Sequence, residues 1–486
     1  MTTFPKIAQL KTAAALRARL TALGIELPVD DGILTAADGS PLAEPIKIGG
    51  VQVGNRWCIH PMEGWDANSD GSPTELTLRR WRNFGASGAK LIWGGEAAAV
   101  EPAGRANPRQ TLATPDNRAG LTKLLDTLTA THRERFGTTD DMLVGLQLTH
   151  SGRFCRPHSK KLEPRIAYHH PLLDRKFGID PQDDSMVWSD DELVGLVENF
   201  VRAAGMARQA GFRFVDVKAC HGYLLHEFLG AHARPGRYGG DFEGRTRLLC
   251  EIIDRVRAAY PDLLIVVRLS AFDSVPYEPA PDGMGQPMAY DGTLPYQYGF
   301  GLDPTNPLRA DLTETIRLVQ LLASLGVVAV NVSCGSPYYN PHLQRPAAFP
   351  PSDGYQPPED PLVGVARQID AARRIKEAVP ELTIVGTGYS YLQDFLPHVA
   401  QGVVRQGWAD LVGLGRMVLS YPELPSDVLS RGQLARKRIC RTFSDCTTAP
   451  RNAIVSGCFP LDPFYKDLPE AAILREIKAA QDSPPD

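Results

Sequence analysis

The sequence predicts an α/β protein whose core is a closed (β/α)8, or TIM, barrel. Short apolar runs recur along the chain, and a segment with helical periodicity follows them. Eight such units in succession favour parallel strands, which close into a barrel when a helix follows every strand. A doubly wound open sheet is the alternative, but no Gly-x-Gly-x-x-Gly sequence follows the first run.

Each predicted strand is an apolar run that ends in polar residues. The clearest helices, residues 191–210 and 244–259, carry apolar side chains at positions i, i+3 and i+4, which indicates one buried face. Together these units predict a barrel over residues 46–430. The eight predicted strands are residues 56–62, 88–94, 142–150, 212–218, 263–270, 326–333, 382–388 and 409–415.

The barrel is flanked by two further segments and interrupted by two loops. Residues 1–45 are predicted to be an N-terminal helical extension, and residues 431–486 a C-terminal tail. Residues 275–310 and 341–361 are Pro-rich and follow the fifth and sixth strands. Such loops would lie over the active face of a barrel, so both are candidate substrate lids. A plain insertion, or a contact between copies in a homo-oligomer, explains them equally well.

The composition indicates a globular protein that acts on small molecules. Of the 486 residues, 43% are hydrophobic, and the formal net charge of −4 gives no sign of a nucleic-acid surface. No apolar run approaches the ~20 residues that a membrane span needs. Eight cysteines in so long a chain are not a disulfide scaffold, which favours the cytoplasm. A transit peptide is the alternative for the N-terminus, which has no acidic residue before Glu26.

Polar groups gather where the predicted strands end, which is where barrel enzymes carry their active sites. The seventh and eighth strands end in "GTG" (386–388) and "GLGR" (413–416). Bare backbone N–H groups at these neighbouring ends favour a phosphate site, and Arg416 can pair with the phosphate. The fourth strand runs into "KACHGY", which sets Lys218, His221 and Tyr223 within six residues. This cluster is the best candidate for chemistry.

Several motifs together resemble the old yellow enzyme family of FMN-dependent oxidoreductases. These are "NRWCIHPME" at the first strand, "LQLTHSGR" at the third, "HGYLLHEFL" after the fourth, and "VGTG" and "GLGR" at the last two. The resemblance runs from about residue 45 to about residue 465. It is strongest toward the branch that contains 2,4-dienoyl-CoA reductase and trimethylamine dehydrogenase. The resemblance implies FMN as cofactor and NAD(P)H as reductant.

The resemblance also implies roles for individual residues. Tyr223 matches the tyrosine that protonates the substrate carbon. Arg268 would stabilise negative charge on the reduced flavin. Without the resemblance, a hydrogen bond or ion pair inside the barrel would explain Gln147 and Arg268. The residues expected to hold FMN are Pro61, Met62, Gln147 and Arg268 at the ring system and Gly386, Gly388, Gly415 and Arg416 at the phosphate.

Two departures from the family pattern lie beside the reactive position. The family places two hydrogen-bond donors at the fourth strand, and here Lys218 and His221 occupy those positions. They would form an oxyanion clamp next to Tyr223. Glu63 stands where the family has Thr, Cys or Ala, and a carboxylate there needs a partner. Lys218 is the natural partner, so it either binds the substrate oxygen or neutralises Glu63.

A third departure lies in the tail. The iron–sulfur members of the family carry four cysteines there, whereas this chain keeps Cys440, Cys446 and Cys458 and has Phe443 in place of the second. Because a four-iron cluster needs four ligands, the tail is predicted to lack the cluster, and no other metal site is predicted. Asp445 as a substitute ligand, or a three-iron cluster, is the alternative.

Three functions are compatible with these residues. The first is an ene-reductase that carries a hydride from NAD(P)H through FMN to an activated C=C bond of an enone or enoyl type. The second is a flavin dehydrogenase or demethylase that passes electrons to a separate acceptor, which the degenerate cluster motif disfavours. The third is a non-catalytic flavin-binding protein, which the intact Tyr223, His221 and Arg268 disfavour.

Overall fold

The chain folds into a closed barrel of parallel strands surrounded by helices, which confirms the predicted fold class. A computed structural model describes residues 4–482. The second barrel strand consists of two short pieces, and every other strand is continuous. The strands, named β1 to β8 in chain order, are Trp57–Ile59, Leu91–Ile92 with Ala97–Ala99, Leu143–Thr149, Phe214–Ala219, Leu264–Ser270, Ala329–Ser333, Thr383–Gly386 and Leu411–Leu414.

Parallel pairing runs through all eight strands and closes between β8 and β1. Val412 pairs with Trp57 in this closing register. The break in β2 follows from Gly95, whose backbone is left-handed with φ 51°. A Cβ atom there would lie 2.3 Å from the ring of Trp81 in the helix Glu75–Gly85, so only glycine fits beneath this helix. All eight strands overlap the predicted runs, which mostly extend one to three residues beyond a strand end. The prediction missed the second piece of β2, Ala97–Ala99, and ended β4 one residue too early, before Ala219.

A hairpin closes the N-terminal end of the barrel. Its strands, Ile46–Ile48 and Val51–Val53, pair antiparallel. Ile48 and Val53 are buried in the same apolar cluster as inward-facing residues from all eight barrel strands. This packing makes the barrel interior a filled core, and the opposite end, where the strands finish, is left for the site.

Helices pack around the barrel as the periodicity predicted. The helix predicted at 191–210 is observed at Asp190–Ala210, where Ser189 and Glu192 form a capping box. The helix predicted at 244–259 is observed at Phe242–Ala259. The other α-helices of eight or more residues are Ala13–Ala22, Glu75–Gly85, Arg118–Phe136, Thr313–Ser324, Pro361–Ala378, Leu396–Arg405, Leu424–Arg431 and Glu470–Asp482. Shorter α-helices are Pro171–Phe177, Leu224–Leu229, Pro341–Gln344, Met417–Ser420, Asp445–Arg451 and Pro463–Lys466.

The two Pro-rich loops contain short elements of secondary structure and contact each other. The first forms two small hairpins, Tyr277–Pro279 with Gly285–Pro287 and Leu302–Asp303 with Asn306–Ala310. The second begins with the short helix Pro341–Gln344. Gln356 exchanges two backbone hydrogen bonds of 2.9 Å with the first loop, so the two loops are joined to each other. Within residues 4–482, no helix is long and apolar enough to cross a membrane.

Candidate active site

One cavity at the carboxyl ends of the strands brings almost all predicted site residues together. Gly386 is the exception, because it does not line the cavity. A Cβ atom on Gly386 would lie 2.6 Å from Tyr389 Oη, so this glycine makes room for a tyrosine, and its predicted phosphate role is not supported by the geometry. The predicted residues that line the cavity are Pro61, Met62, Glu63, Gln147, Lys218, His221, Tyr223, Arg268, Gly388, Gly415 and Arg416.

The turn after β4 presents the central cluster. His221 has a left-handed backbone with φ 66°, a conformation that costs free energy for a residue with a Cβ atom. Two side chains hold the turn: Ser270 Oγ accepts from the His221 N–H at 3.0 Å, and Ser336 Oγ donates to the His221 carbonyl at 2.8 Å. The turn then leads into the helix Leu224–Leu229, with Tyr223 at its N-cap position.

Lys218 and Glu63 form an ion pair across the floor of the cavity. Lys218 Nζ lies 2.7 Å from Glu63 Oε1, and the lysine side chain is only 4% exposed. The second carboxylate oxygen, Oε2, accepts a hydrogen bond from Trp65 Nε1 at 2.9 Å. The geometry therefore favours the role of Lys218 as the partner of Glu63 over that of a free oxyanion donor.

Tyr223 is buried with its hydroxyl group in the cavity. Its Oη lies 3.0 Å from Tyr338 Oη and 3.4 Å from Glu63 Oε2. Lys218 Nζ lies 3.9 Å from the centroid of the Tyr223 ring. Burial, and then the neighbouring Glu63 carboxylate, raises the pKa of Tyr223 well above its usual value, so the hydroxyl stays protonated at neutral pH. Tyr338 is held by Phe154, on which it stacks with ring centroids 3.9 Å apart.

His221 contributes a neutral imidazole. Burial lowers the pKa of His221 well below its usual value, and the positive charge of Arg268 lowers it further. His221 Nε2 lies 2.8 Å from Ser333 Oγ at the end of β6 and 3.4 Å from Gln344 Nε2. The ring is thus held against β6 and exchanges hydrogen bonds without carrying charge.

A buried carboxylic acid connects Gln147 and Arg268 beneath the cavity. Gln147 Nε2 donates to Asp216 Oδ2 at 2.5 Å, and the backbone N–H of Arg268 donates to Asp216 Oδ1 at 2.6 Å. Burial raises the pKa of Asp216 to about 6, against the opposing effect of the Gln147 hydrogen bond. The guanidinium Nε of Arg268 is buried with no hydrogen-bond partner among the described residues.

The other end of the cavity is rich in arginine. Arg416 Nη2 donates to the Pro346 carbonyl at 2.9 Å, and Nη1 is buried without a partner in the described part of the chain. Gly388 has a left-handed backbone with φ 94°, and a Cβ atom on Gly415 would find nothing closer than Met62 Sδ at 3.7 Å. The backbone is therefore exposed to the cavity beside an arginine with free donors.

The three tail cysteines approach one another beside this end. Cys446 lines the cavity, and burial raises the pKa of each of the three thiols. Asp445, the alternative fourth ligand, forms a 2.7 Å ion pair with Lys478. This ion pair occupies the carboxylate that a cluster would need. Within residues 4–482, no group of three or more His, Cys, Asp or Glu side chains has an arrangement that could hold a metal ion.

Sequence similarity decides the family. The NADH:flavin oxidoreductase / NADH oxidase family matches residues 41–284, which is just over half of the chain. The chain belongs to this family. It is therefore an enzyme of the old yellow enzyme family, an oxidoreductase and an FMN flavoprotein.

Known relatives agree with this assignment. "NADH:flavin oxidoreductase FG08077" of Gibberella zeae is 28% identical over 395 residues, which cover 78% of this chain and 83% of the relative. The "NADPH dehydrogenase" of Bacillus subtilis is 30% identical over 239 residues, which cover 48% of this chain and 64% of the relative. A solved complex of 2-naphthoyl-CoA reductase superposes with a TM-score of 0.65 at 20% identity, covering 87% of this chain and 57% of that one, and shows the same fold.

The cavity has the donors that FMN needs. The unpartnered Arg268 Nε and Arg416 Nη1 are cationic donors, one on β5 and one after β8. The open backbone at Gly415 adds an approach for a phosphate. Gln147 lines the cavity as well, with a side chain already fixed by Asp216.

Sequence reasoning missed several residues that line this old yellow enzyme cavity. They lie in loops or in the short helices Pro341–Gln344 and Asp445–Arg451, which are too brief for periodicity to mark them. Trp65 follows the recognised "HPME" segment, and Tyr338 follows the recognised end of β6, so extending those two motifs would have found both. The missed residues that line the cavity include Trp65, Tyr338, Gln344, Arg345, Pro346, Thr447 and Arg451, whereas Cys446 was expected only as part of the cluster motif.

Proposed function

We propose that this enzyme uses NAD(P)H to reduce an activated C=C bond of an enone or enoyl type. Its family supports flavin-dependent reduction, and relatives named NADPH dehydrogenase support the nicotinamide reductant. The unpaired state of all eight cysteines supports a reducing compartment such as the cytoplasm.

The observation that carries the proposal is the protonated, buried hydroxyl of Tyr223 in the cavity. Reduction of a C=C bond adds a hydride to one carbon and a proton to the other, so it requires an acid on the substrate side. The Tyr223 hydroxyl has the Tyr338 hydroxyl 3.0 Å away, which can return a proton after each turnover. Lys218 Nζ, 3.9 Å from the ring centroid, favours the phenolate that forms when the proton leaves.

FMN, when bound, supplies the hydride. Pro61, Met62, Gln147 and Arg268 would hold its ring system, and Arg268 would stabilise negative charge there. Gly388, Gly415 and Arg416 would hold its phosphate. Lys218 would neutralise Glu63, and His221, whose ring is uncharged, would contribute a hydrogen bond to the substrate oxygen.

Rapid mixing under anaerobic conditions tests the proposal. We expect NAD(P)H to bleach the flavin absorbance and cyclohex-2-en-1-one to restore it. Tyr223→Phe should slow the second step about 10²- to 10⁴-fold, the usual contribution of a general acid, while bleaching by NAD(P)H stays close to the parent rate. Tyr338→Phe is the matched control, since it also removes one hydroxyl but not the proton donor, and its effect should be smaller.

A flavin dehydrogenase is the second candidate. The observation in its favour is the Lys218–Glu63 ion pair, because it occupies one of the two donors that would hold a substrate oxygen. The same experiment separates the two functions. Bleaching by NAD(P)H followed by recovery with the enone supports the reductase, and bleaching by an amine substrate but not by NAD(P)H would establish the dehydrogenase.

We also propose that the tail holds no iron–sulfur cluster. Phe443 packs against Phe349 with ring centroids 5.5 Å apart, and Asp445 is paired with Lys478. Purified protein should show flavin bands alone and negligible iron. About four iron atoms per chain, with broad absorbance beneath the flavin bands, would contradict this proposal.

A further inference from the structure

Arg345 is a buried arginine without a counter-ion. It follows the short helix Pro341–Gln344, and its side chain lines the active-site cavity. Its Nη1 donates to Thr447 Oγ1 in the tail, whereas Nε and Nη2 are buried without any hydrogen-bond partner among the described residues. No carboxylate in residues 4–482 forms an ion pair with it.

The surroundings of Arg345 are cationic. Burial lowers the pKa of Arg345 well below its usual value, and the neighbouring charges of Arg451 and Arg416 lower it further. Arg451 forms an ion pair with Asp353, and Arg416 forms none with any described residue. A buried guanidinium next to two others is unfavourable unless an anion joins them, because charge is costly to remove from water. The geometry therefore points to an anion between Arg345 and Arg416.

The charge of the cavity indicates which anion this is. Lys218 is neutralised by Glu63 and Arg451 by Asp353, which leaves Arg268, Arg345 and Arg416 without acidic partners in the described part of the chain. Arg345 and Arg416 are adjacent, since Arg416 Nη2 donates to the carbonyl of Pro346. A phosphate monoester carries about 1.5 to 2 negative charges at neutral pH and accepts hydrogen bonds through three oxygens, which matches two guanidinium groups.

We propose that Arg345 and Arg416 together bind the phosphate of FMN, and that the tail, through Thr447, holds Arg345 in position. The inference rests on the FMN site of the proposed function and is independent of the identity of the substrate. It makes the C-terminal tail part of the cofactor site, although the sequence shows that tail only as a degenerate cluster motif.

The test compares FMN with riboflavin, which lacks the phosphate. Dissociation constants are measured for both ligands by titrating the full-length chain after its flavin has been removed. Arg345→Gln should weaken FMN binding about 10- to 100-fold, the usual effect of losing a charge-assisted hydrogen bond, and riboflavin binding less than about 3-fold. Arg441→Gln is the matched control, because Arg441 lies in the same tail but is already paired with Asp394 and Gln393.

Two milder variants keep the test decisive if Arg345→Gln does not fold. Arg345→Lys retains the charge but loses the planar fork, so it should weaken FMN binding less than Arg345→Gln does. Thr447→Val removes the acceptor that holds Arg345 and should weaken FMN binding about 3- to 10-fold without changing riboflavin binding.

Two results would overturn the inference. Unchanged FMN affinity in all three variants would show that the arginine binds another anion, and a raised KM for NADPH or for an acidic substrate would identify it. An equal loss of FMN and riboflavin affinity would show that the arginine only shapes the cavity. Either result is distinct from failure of the proposed reduction, which is measured by enone turnover of the parent enzyme at saturating FMN.

Discussion

At the scale of single residues, the cavity floor is organised by one buried ion pair. Glu63 accepts from Lys218 and Trp65 and lies near the Tyr223 hydroxyl. The contact with Lys218 is an ion pair, so it depends on opposite charges on both groups. Removal of one partner therefore leaves an uncompensated charge, which costs more than removal of both.

A double-mutant cycle on this pair tests its role. Lys218→Met should lower the free energy of unfolding. Breaking a buried ion pair typically costs roughly 3–5 kcal/mol, and the loss should be smaller here because the Glu63 side chain is 17% exposed. Glu63→Gln combined with Lys218→Met should recover most of that loss. Urea unfolding of the parent, the two single variants and the double variant measures these differences in stability. If Lys218→Met instead leaves stability unchanged and slows only enone reduction, Lys218 is an oxyanion donor.

At the scale of elements, β4 carries a buried acid between its two neighbours. Asp216 is fully buried and accepts hydrogen bonds from the side chain of Gln147 on β3 and the backbone of Arg268 on β5. It thereby joins three strands and fixes one residue on each side of the cavity floor. Because burial raises its pKa to about 6, the folded protein holds this proton more tightly than the unfolded chain does.

This raised pKa makes the stability of the protein depend on pH. The unfolded carboxyl ionises near its usual pKa of 3.8, so the stabilisation is complete below that pH and is lost as pH rises to about 6. The loss is on the order of 3 kcal/mol, from about two pKa units. Asp216→Asn should remove this slope, so the stability of the variant relative to the parent should rise between pH 4 and 6. Urea unfolding across that range measures it, and parallel curves for the two proteins would contradict it.

At the scale of the whole molecule, the proposed cofactor site joins distant parts of the chain. Arg268 comes from β5, Arg345 from the loop after β6, Arg416 from the end of β8, and Thr447 from the tail. These parts carry unbalanced positive charge at one cavity, which opposes folding in the absence of an anion. FMN should therefore stabilise the fold as well as supply chemistry.

Thermal unfolding tests this link. At an FMN concentration 100 times its dissociation constant, binding should add about 2.7 kcal/mol to the free energy of unfolding. Arg416→Ala should lose much of this gain at the same FMN concentration, because a charge-assisted phosphate contact contributes about 1.5–3 kcal/mol. Riboflavin at the same concentration should stabilise the parent less than FMN does. Equal stabilisation by both ligands would place the phosphate away from Arg416.

Two predictions stay predictions, because a glycine and a loop have local contacts that the sequence does not reveal. Gly386 was expected at the phosphate, but its missing side chain accommodates Tyr389. Residues 275–310 were a candidate lid, but none of them lines the cavity. In both cases the sequence marks an unusual composition, and packing alone determines which neighbour makes use of it.

The sequence by itself determined the barrel and one side of its site. Apolar runs and helical periodicity are local signals, and parallel closure then requires the strand ends that carry Gln147, Tyr223 and Arg268 to meet at one end. Only the tertiary structure decided the pairings across that end. Lys218 and Glu63 are 155 residues apart, and Arg345 and Thr447 are 102 apart. Which of these charges and donors meet depends on the path of the loops, because no local periodicity constrains a loop and its course is set by packing against the rest of the fold.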